Sequence, residues 1–216
     1  MTYSTLKFEQ RDQIATITLT RPEKRNAISE QVIRDLLAAL DQAEECAARV
    51  VILTGSGKAF CAGMDLDGLR AIAGQSLEEN LANSSAMATM FWRIYQFPKP
   101  VISAVNGAAI AGGCGIATLA DFALAVPEAK FGYSEVRIGF IPALVSVFLR
   151  RQIAEKHVND LLLTGRIVEA TEALRIGLIT EVVPAEKLLE RAGEIAAQLI
   201  AIVPKFVRNR RQENPD

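Results

Sequence analysis

Histidine is almost absent: His157 is the only one in the chain. It falls in an expected helix beside Lys156 and Asn159, away from both glycine turns, which excludes a Ser-His-Asp mechanism. Cysteine is sparse too. Cys46, Cys61 and Cys114 are odd in number and lack CxxC spacing, which argues for reduced thiols over disulfides and against a cysteine zinc site. Neither charge sign dominates, with 24 Lys and Arg against 25 Asp and Glu. The chain therefore has no electrostatic footprint for nucleic acid and no polybasic membrane patch. No apolar run approaches the length of a transmembrane helix, and the polar start, MTYSTLKFEQRDQ, lacks the apolar core of a signal peptide. The expectation is a soluble, cytoplasmic protein without membrane or nucleic-acid partners. Half of its 216 residues are hydrophobic, enough to fill one sizeable core.

What the chain does have is β-branched runs alternating with helical stripes. Ile14 to Leu19 alternates as a strand and Arg21-Pro22 ends it. Ser29 is placed to cap a helix carrying Val32, Ile33, Leu36, Leu37 and Leu40. Val50 to Thr54 reads as a buried strand, and strand, helix, strand points to an α/β layered fold. A long helix is expected over 77–97, ended by Pro98 and Pro100, and a strand follows from Val101. Later helices are expected over 144–153, from Glu155, over 170–177 and from Ala185 to about Val203, with a strand over 178–183 before the last. The segment 204–216 is a charged tail.

Two stretches share one construction: a strand, a loop of small residues, then a helix start. The first is Phe60-Cys61-Ala62-Gly63-Met64-Asp65-Leu66, where Asp65 can cap a helix running to about Ala73. The second is Asn106-Gly107 through Ala108 to Gly115, with Gly112 and Gly113 at the helix entrance. Missing side chains let a ligand approach the backbone, and the first N–H groups of a helix lack internal partners. Two such turns after successive strands could aim two N–H groups at one oxygen. The alternatives are an ordinary capped turn at the first and tight helix–strand packing at the second.

Five pieces, taken in order, resemble the crotonase, or enoyl-CoA hydratase/isomerase, superfamily. They are RPEKRNAIS at 21–29, LTGSGKAFCAGMDL at 53–66, KPVISAVNGAAIAGGCGIATLADFALA at 99–125, AKFGYSEVRIGFIP at 129–142 and TGRIVEATEALRIGLITEVV at 164–183. The resemblance implies an α/β spiral of ββα units over 1–142. It also implies a helical, trimer-forming region over 143–216, shorter than the family's usual extent, in a homotrimer or dimer of trimers. Self-association is expected through faces that include the apolar Leu144, Val145, Val147, Phe148 and Leu149. It implies an acyl-CoA thioester substrate, with coenzyme A as part of the substrate and no separate cofactor or metal. The thioester oxygen would be held by the backbone N–H groups of Met64 and Gly112. Ala62, Gly63, Met64, Asp65, Leu66 and Asp67 would line the CoA moiety, and Arg25 would meet its phosphates or simply be a surface arginine.

Hydratases of the family that use two glutamates carry one just after the glycine run and one in an FGxxE segment. Here the first position is Gly115 and the second is Glu135. The resemblance then leaves Glu135 as the sole proton-transfer group. The leading expectation is hydration of a 2-enoyl-CoA. Double-bond isomerisation and CoA-thioester binding without turnover are the alternatives. SEVRIGFIPALVSVF resembles hydratases acting on branched methylglutaconyl-CoA-type substrates.

Overall fold

The computed structural model describes residues 2–202; the charged tail at 204–216 lies outside them. The chain opens with a hairpin of β1 (Leu6–Arg11) and β2 (Ile14–Leu19), registered from Leu6 opposite Leu19 to Arg11 opposite Ile14. α1 (Glu30–Glu45) follows, with the Ser29 hydroxyl accepting from the Val32 N–H. It buries Val32, Ile33, Leu36 and Leu40, while Leu37 packs half-buried at the edge. Asp35, on the same helix, pins the start of β1. Its Oδ2 accepts from the Thr5 hydroxyl at 2.8 Å and from the Ser4 and Thr5 N–H groups at 3.0 and 2.9 Å. At the other end of α1, Lys99 Nζ donates to the Ala43 and Cys46 carbonyls at 2.7 and 3.0 Å, filling orphan acceptors of the last turn.

Three turns of a repeat come next, each giving one strand to each of two sheets. The first is β3 (Val50–Gly55), β4 (Ala59–Cys61) and α2 (Leu66–Ala71), followed by α3 (Leu77–Tyr95). The second is β5 (Val101–Val105), β6 (Ala108–Ile110) and α4 (Gly112–Thr118). The third is β7 (Phe122–Ala125), β8 (Lys130–Gly132) and a 3-10 turn over Ser134–Ile138. After these come α5 (Ala143–Leu149), α6 (Glu155–Thr164), β9 (Ile167–Glu169), α7 (Ala170–Arg175), β10 (Glu181–Val182) and α8 (Leu188–Ile202). One sheet has the order β1-β2-β3-β5-β7-β10 and the other β4-β6-β8-β9. Apart from the β1–β2 and β8–β9 pairs, all neighbours run parallel. β5 is buried at every position, as a parallel strand covered on both faces must be. This is the ββα spiral that the resemblance implies. β9 and β10, beyond residue 142, complete both sheets.

The structure differs from the expected elements chiefly in the second sheet, and at both edges of the first. Ala108–Ile110, read as the start of a small-residue segment, is a strand. β1, β4, β8 and β9 were likewise not expected, and the strand expected over 178–183 shrinks to Glu181–Val182. In α5, Val145, Phe148 and Leu149 face the chain's own core, leaving Leu144 and Val147 exposed beside Ile141. Much of that helix's apolar density is therefore spent within the fold. Among the described residues no helix is long and apolar enough to cross a membrane.

Candidate active site

The first small-residue loop leaves β4 and runs beside the segment between β2 and α1. Ala62 N–H donates to the Arg25 carbonyl at 3.0 Å, Ile28 N–H to the Gly63 carbonyl at 2.7 Å, and Asp65 N–H to the Ile28 carbonyl at 2.9 Å. Ile28 and Met64 thus form a parallel bridge. In such a bridge the neighbours of Met64 make the bonds, and its own N–H points the other way. That N–H has no partner among the described residues.

Gly63, at φ 86°, makes this turn possible. A Cβ there would also stand 2.9 Å from Ala111 Cβ and 3.7 Å from Gly112 N. The two loops therefore meet backbone to backbone. Asp65 braces the first loop: its Oδ1 accepts from the Asp67 N–H at 3.1 Å, and its Oδ2 pairs with Arg21 at 2.9 Å. Burial pushes the Asp65 carboxyl up, but the Asp67 N–H and the Arg21 guanidinium outweigh it and hold it below its ordinary value.

The second loop turns on Ala111, whose φ of 52° and ψ of −128° lie in a region ordinarily left to glycine. Such a conformation costs on the order of 1–3 kcal/mol and persists only where the surroundings impose it. Here Ala111 N–H donates to the Gly132 carbonyl at 2.7 Å. Gly112 then begins α4, and its N–H has no partner among the described residues. The two glycines separate in role. A Cβ on Gly113 would lie 2.2 Å from the Cys61 carbonyl oxygen, so Gly113 serves tight helix–strand packing. A Cβ on Gly112 would meet only side-chain tips, Ile28 Cδ1 at 3.1 Å and Phe91 Cζ at 3.5 Å.

Glu135 lies in the 3-10 turn after β8, half-buried, with Oε2 buried and without a hydrogen-bond partner. Burial pushes its carboxyl up, with its own N–H pulling the other way. Its charge acts on Cys114 of α4 and on Tyr133. Burial pushes the Cys114 thiol up to about 12, and the Tyr133 hydroxyl is raised well above its ordinary value. The Glu135 carbonyl accepts from the Phe140 N–H at 3.0 Å. Gly115, where the resemblance would put a first glutamate, is enclosed by apolar side chains. A Cβ on Gly115 would stand 2.8 Å from Val145 Cγ1 and 3.3 Å from Phe91 Cε1.

Met64, Ile28, Phe140 and Leu144 share the wall of a cavity of about 540 Å³ that opens between α1, α2 and α3. The structure brings Ala62, Gly63, Met64, Asp65 and Gly112 together at the meeting of the loops. Leu66, Asp67 and Arg25 lie on the exposed outside of the same region, Asp67 beside Lys24 at 3.4 Å and Arg25 without a side-chain partner among the described residues. Sequence reasoning missed Arg21, Asn26 and Ala111. Buried Asn26 takes φ 54°, accepts from the Arg21 N–H and donates to the Ala59 carbonyl at 2.8 Å, so it ties the entry to α1 onto β4. The asparagine in KRNA was the available signal; nothing marked Ala111. Among the described residues no group of three His, Cys, Asp or Glu side chains is placed to hold a metal.

The enoyl-CoA hydratase/isomerase family model matches residues 9–213. The chain belongs to that family. A Thermus thermophilus protein whose name carries the words enoyl-CoA hydratase is 44% identical over 200 residues, covering 92% of this chain and 79% of the relative. The crotonyl-CoA hydratase of Syntrophomonas wolfei is 33% identical over 207 residues, covering 93% and 77%. The crystal structure of the Bacillus anthracis enoyl-CoA hydratase matches with a TM-score of 0.86 at 35% identity, over 92% of this chain and 77% of that one. In this family member apolar side chains close around Gly115, and the Glu135 charge acts on Cys114 of α4.

Proposed function

We propose that this family member hydrates a 2-enoyl-CoA thioester with one carboxylate, Glu135, and the N–H groups of Met64 and Gly112. The reading rests above all on two unpartnered N–H groups in adjoining loops and on the half-buried Glu135, whose Oε2 lacks a partner and whose charge acts on Cys114, two residues beyond Gly112. As water adds to C3, Glu135 takes its proton and negative charge moves to the thioester oxygen. The two N–H groups receive that charge, each worth roughly 3–4 kcal/mol in such sites. Glu135 then returns the proton to C2, and the carboxylate is regenerated. A carboxyl raised by burial suits a group that both takes and gives a proton. Coenzyme A enters as part of the substrate, and the reading needs no separate cofactor. We also propose self-association, most simply as a trimer, through the face that exposes Ile141 and Val147.

Double-bond isomerisation is the second reading, favoured by the apolar packing of Val145 and Phe91 where another carboxylate would hold water. A panel of conjugated and non-conjugated enoyl-CoA thioesters separates them. Hydration predicts loss of the conjugated-thioester absorbance with a 3-hydroxyacyl product. Isomerisation predicts interconversion of the enoyl forms alone, and binding without turnover would contradict both.

A further inference from the structure

The chemistry proposed above leaves the acyl group unspecified, and the cavity beside Met64 constrains it. At about 540 Å³ it falls within the range of pockets that hold whole small ligands, roughly 300–1,000 Å³. A butenoyl chain would leave most of it empty. The apolar lining comes from Ile33 of α1, Ile72 beyond α2, Met87 of α3, and the partly exposed Phe140 and Leu144 before and in α5, with Ser29, Gln75 and Ser84 as neutral polar neighbours. Ala82 and Ala86, one turn apart on α3, add no bulk and keep that wall open.

The lining has two ionisable side chains among the described residues, Glu30 and Arg34. They pair with each other at 3.4 Å, and Arg34 also donates to Gln31 at 3.0 Å. Two amides are also committed. Asn80 donates to the Ile72 carbonyl at 3.1 Å and Asn83 to Gln75 at 3.2 Å. A carboxylate at the far end of an acyl chain would meet one guanidinium, exposed and already shared with Glu30, whose own charge repels it.

We propose that the cavity is an acyl site for an uncharged, medium-length chain, and that Ala82 and Ala86 set the length it accepts. The dicarboxylic acyl group to which the segment after Ser134 pointed is then selected against. This rests on the hydration reading only in treating Met64 as the thioester end of the site.

The test is calorimetric binding of saturated butyryl-, octanoyl- and glutaryl-CoA to the full chain, with turnover of the matching enoyl thioesters measured alongside. Each fully buried methylene gains roughly fourfold in affinity, and partial burial of the added four predicts about tenfold tighter octanoyl than butyryl binding. Glutaryl-CoA should bind no tighter than butyryl-CoA. Ala86→Phe and Ala82→Phe should each bring the octanoyl-to-butyryl ratio down toward one. Equal affinity for butyryl and octanoyl thioesters, or tightest binding of glutaryl-CoA, overturns the proposal, as does failure of all three to bind. Because saturated thioesters bind without reacting, a correct length preference with no turnover would sustain the acyl site and contradict hydration instead.

Discussion

Gly115→Glu puts back the carboxylate that two-glutamate hydratases carry, and the structure predicts that the fold resists it. The new Cβ would stand 2.8 Å from Val145 Cγ1 and 3.3 and 3.4 Å from Phe91 Cε1 and Cζ. Gly115 is buried in α4, and Phe91 is buried in α3, so neither side yields cheaply. Overpacking of this kind costs about 1–3 kcal/mol, and a buried carboxyl without a partner adds about 1–3 more. Taking about 3 kcal/mol overall, the midpoint of thermal unfolding should fall by roughly 6–12 °C in a domain of this size. Val145→Ala removes the nearest contact. The double variant should therefore be less destabilised than the sum of the two singles, by on the order of 0.5–3 kcal/mol. Denaturant unfolding of wild type, both singles and the double closes the cycle. A Gly115→Glu loss under about 0.5 kcal/mol, or no coupling to Val145, would refute the claim that this space is filled.

Ala111→Gly should stabilise the fold by about 1 kcal/mol, since relief of roughly 1–3 kcal/mol of strain outweighs glycine's added unfolded-state entropy. A lower denaturation midpoint for this variant would contradict the strained φ of 52°. At Asp35, burial pushes the carboxyl up, but the Thr5 and Gln31 side chains and the Ser4 and Thr5 N–H groups outweigh it and hold the carboxyl below its ordinary 3.8. Its stabilising contribution is therefore present above pH 3.8 and lost as pH falls through the lower folded value. Asp35→Asn should flatten the acid limb of a stability–pH profile, and an unchanged limb would count against the pin. Glu135 has the opposite sign: its raised carboxyl favours the folded state below the ordinary 4.5 and loses that contribution as pH rises. Glu135→Gln should consequently be more favourable relative to wild type at neutral pH than below pH 4.5; a stability difference that does not change with pH would contradict the raised carboxyl.

The inner strands of the first sheet and the long helices were legible because burial imposes a period. Val32, Ile33, Leu36 and Leu40 are spaced as a helix, and Val50 to Thr54 is apolar throughout, as a covered parallel strand must be. The second sheet was not. β4, β6, β8 and β9 are three residues each, too short to show alternation, and Ala108-Ala109-Ile110 carries no β signal of its own. It is a strand because Ala59–Cys61 and Phe131–Gly132 pair on either side of it. The two small-residue loops could be located from glycine, but the roles of Gly112 and Gly113 could not. Which one packs and which one stays open depends on where the Cys61 carbonyl lies. Ala111 gave no sign at all, because its strain comes from the bond to Gly132 and from the loop it faces.

The most direct measurement is turnover and thioester binding by Glu135→Gln, side by side, on the best enoyl-CoA from the substrate panel. Glutamine keeps the shape of the side chain and removes the titrating group. The account predicts a fall in kcat of about two to four orders of magnitude, the range expected for general acid–base catalysis, with the Kd for the saturated thioester nearly unchanged. A variant that hydrates the substrate at the wild-type rate would show that the proton travels by another route, and the single-carboxylate account would be wrong.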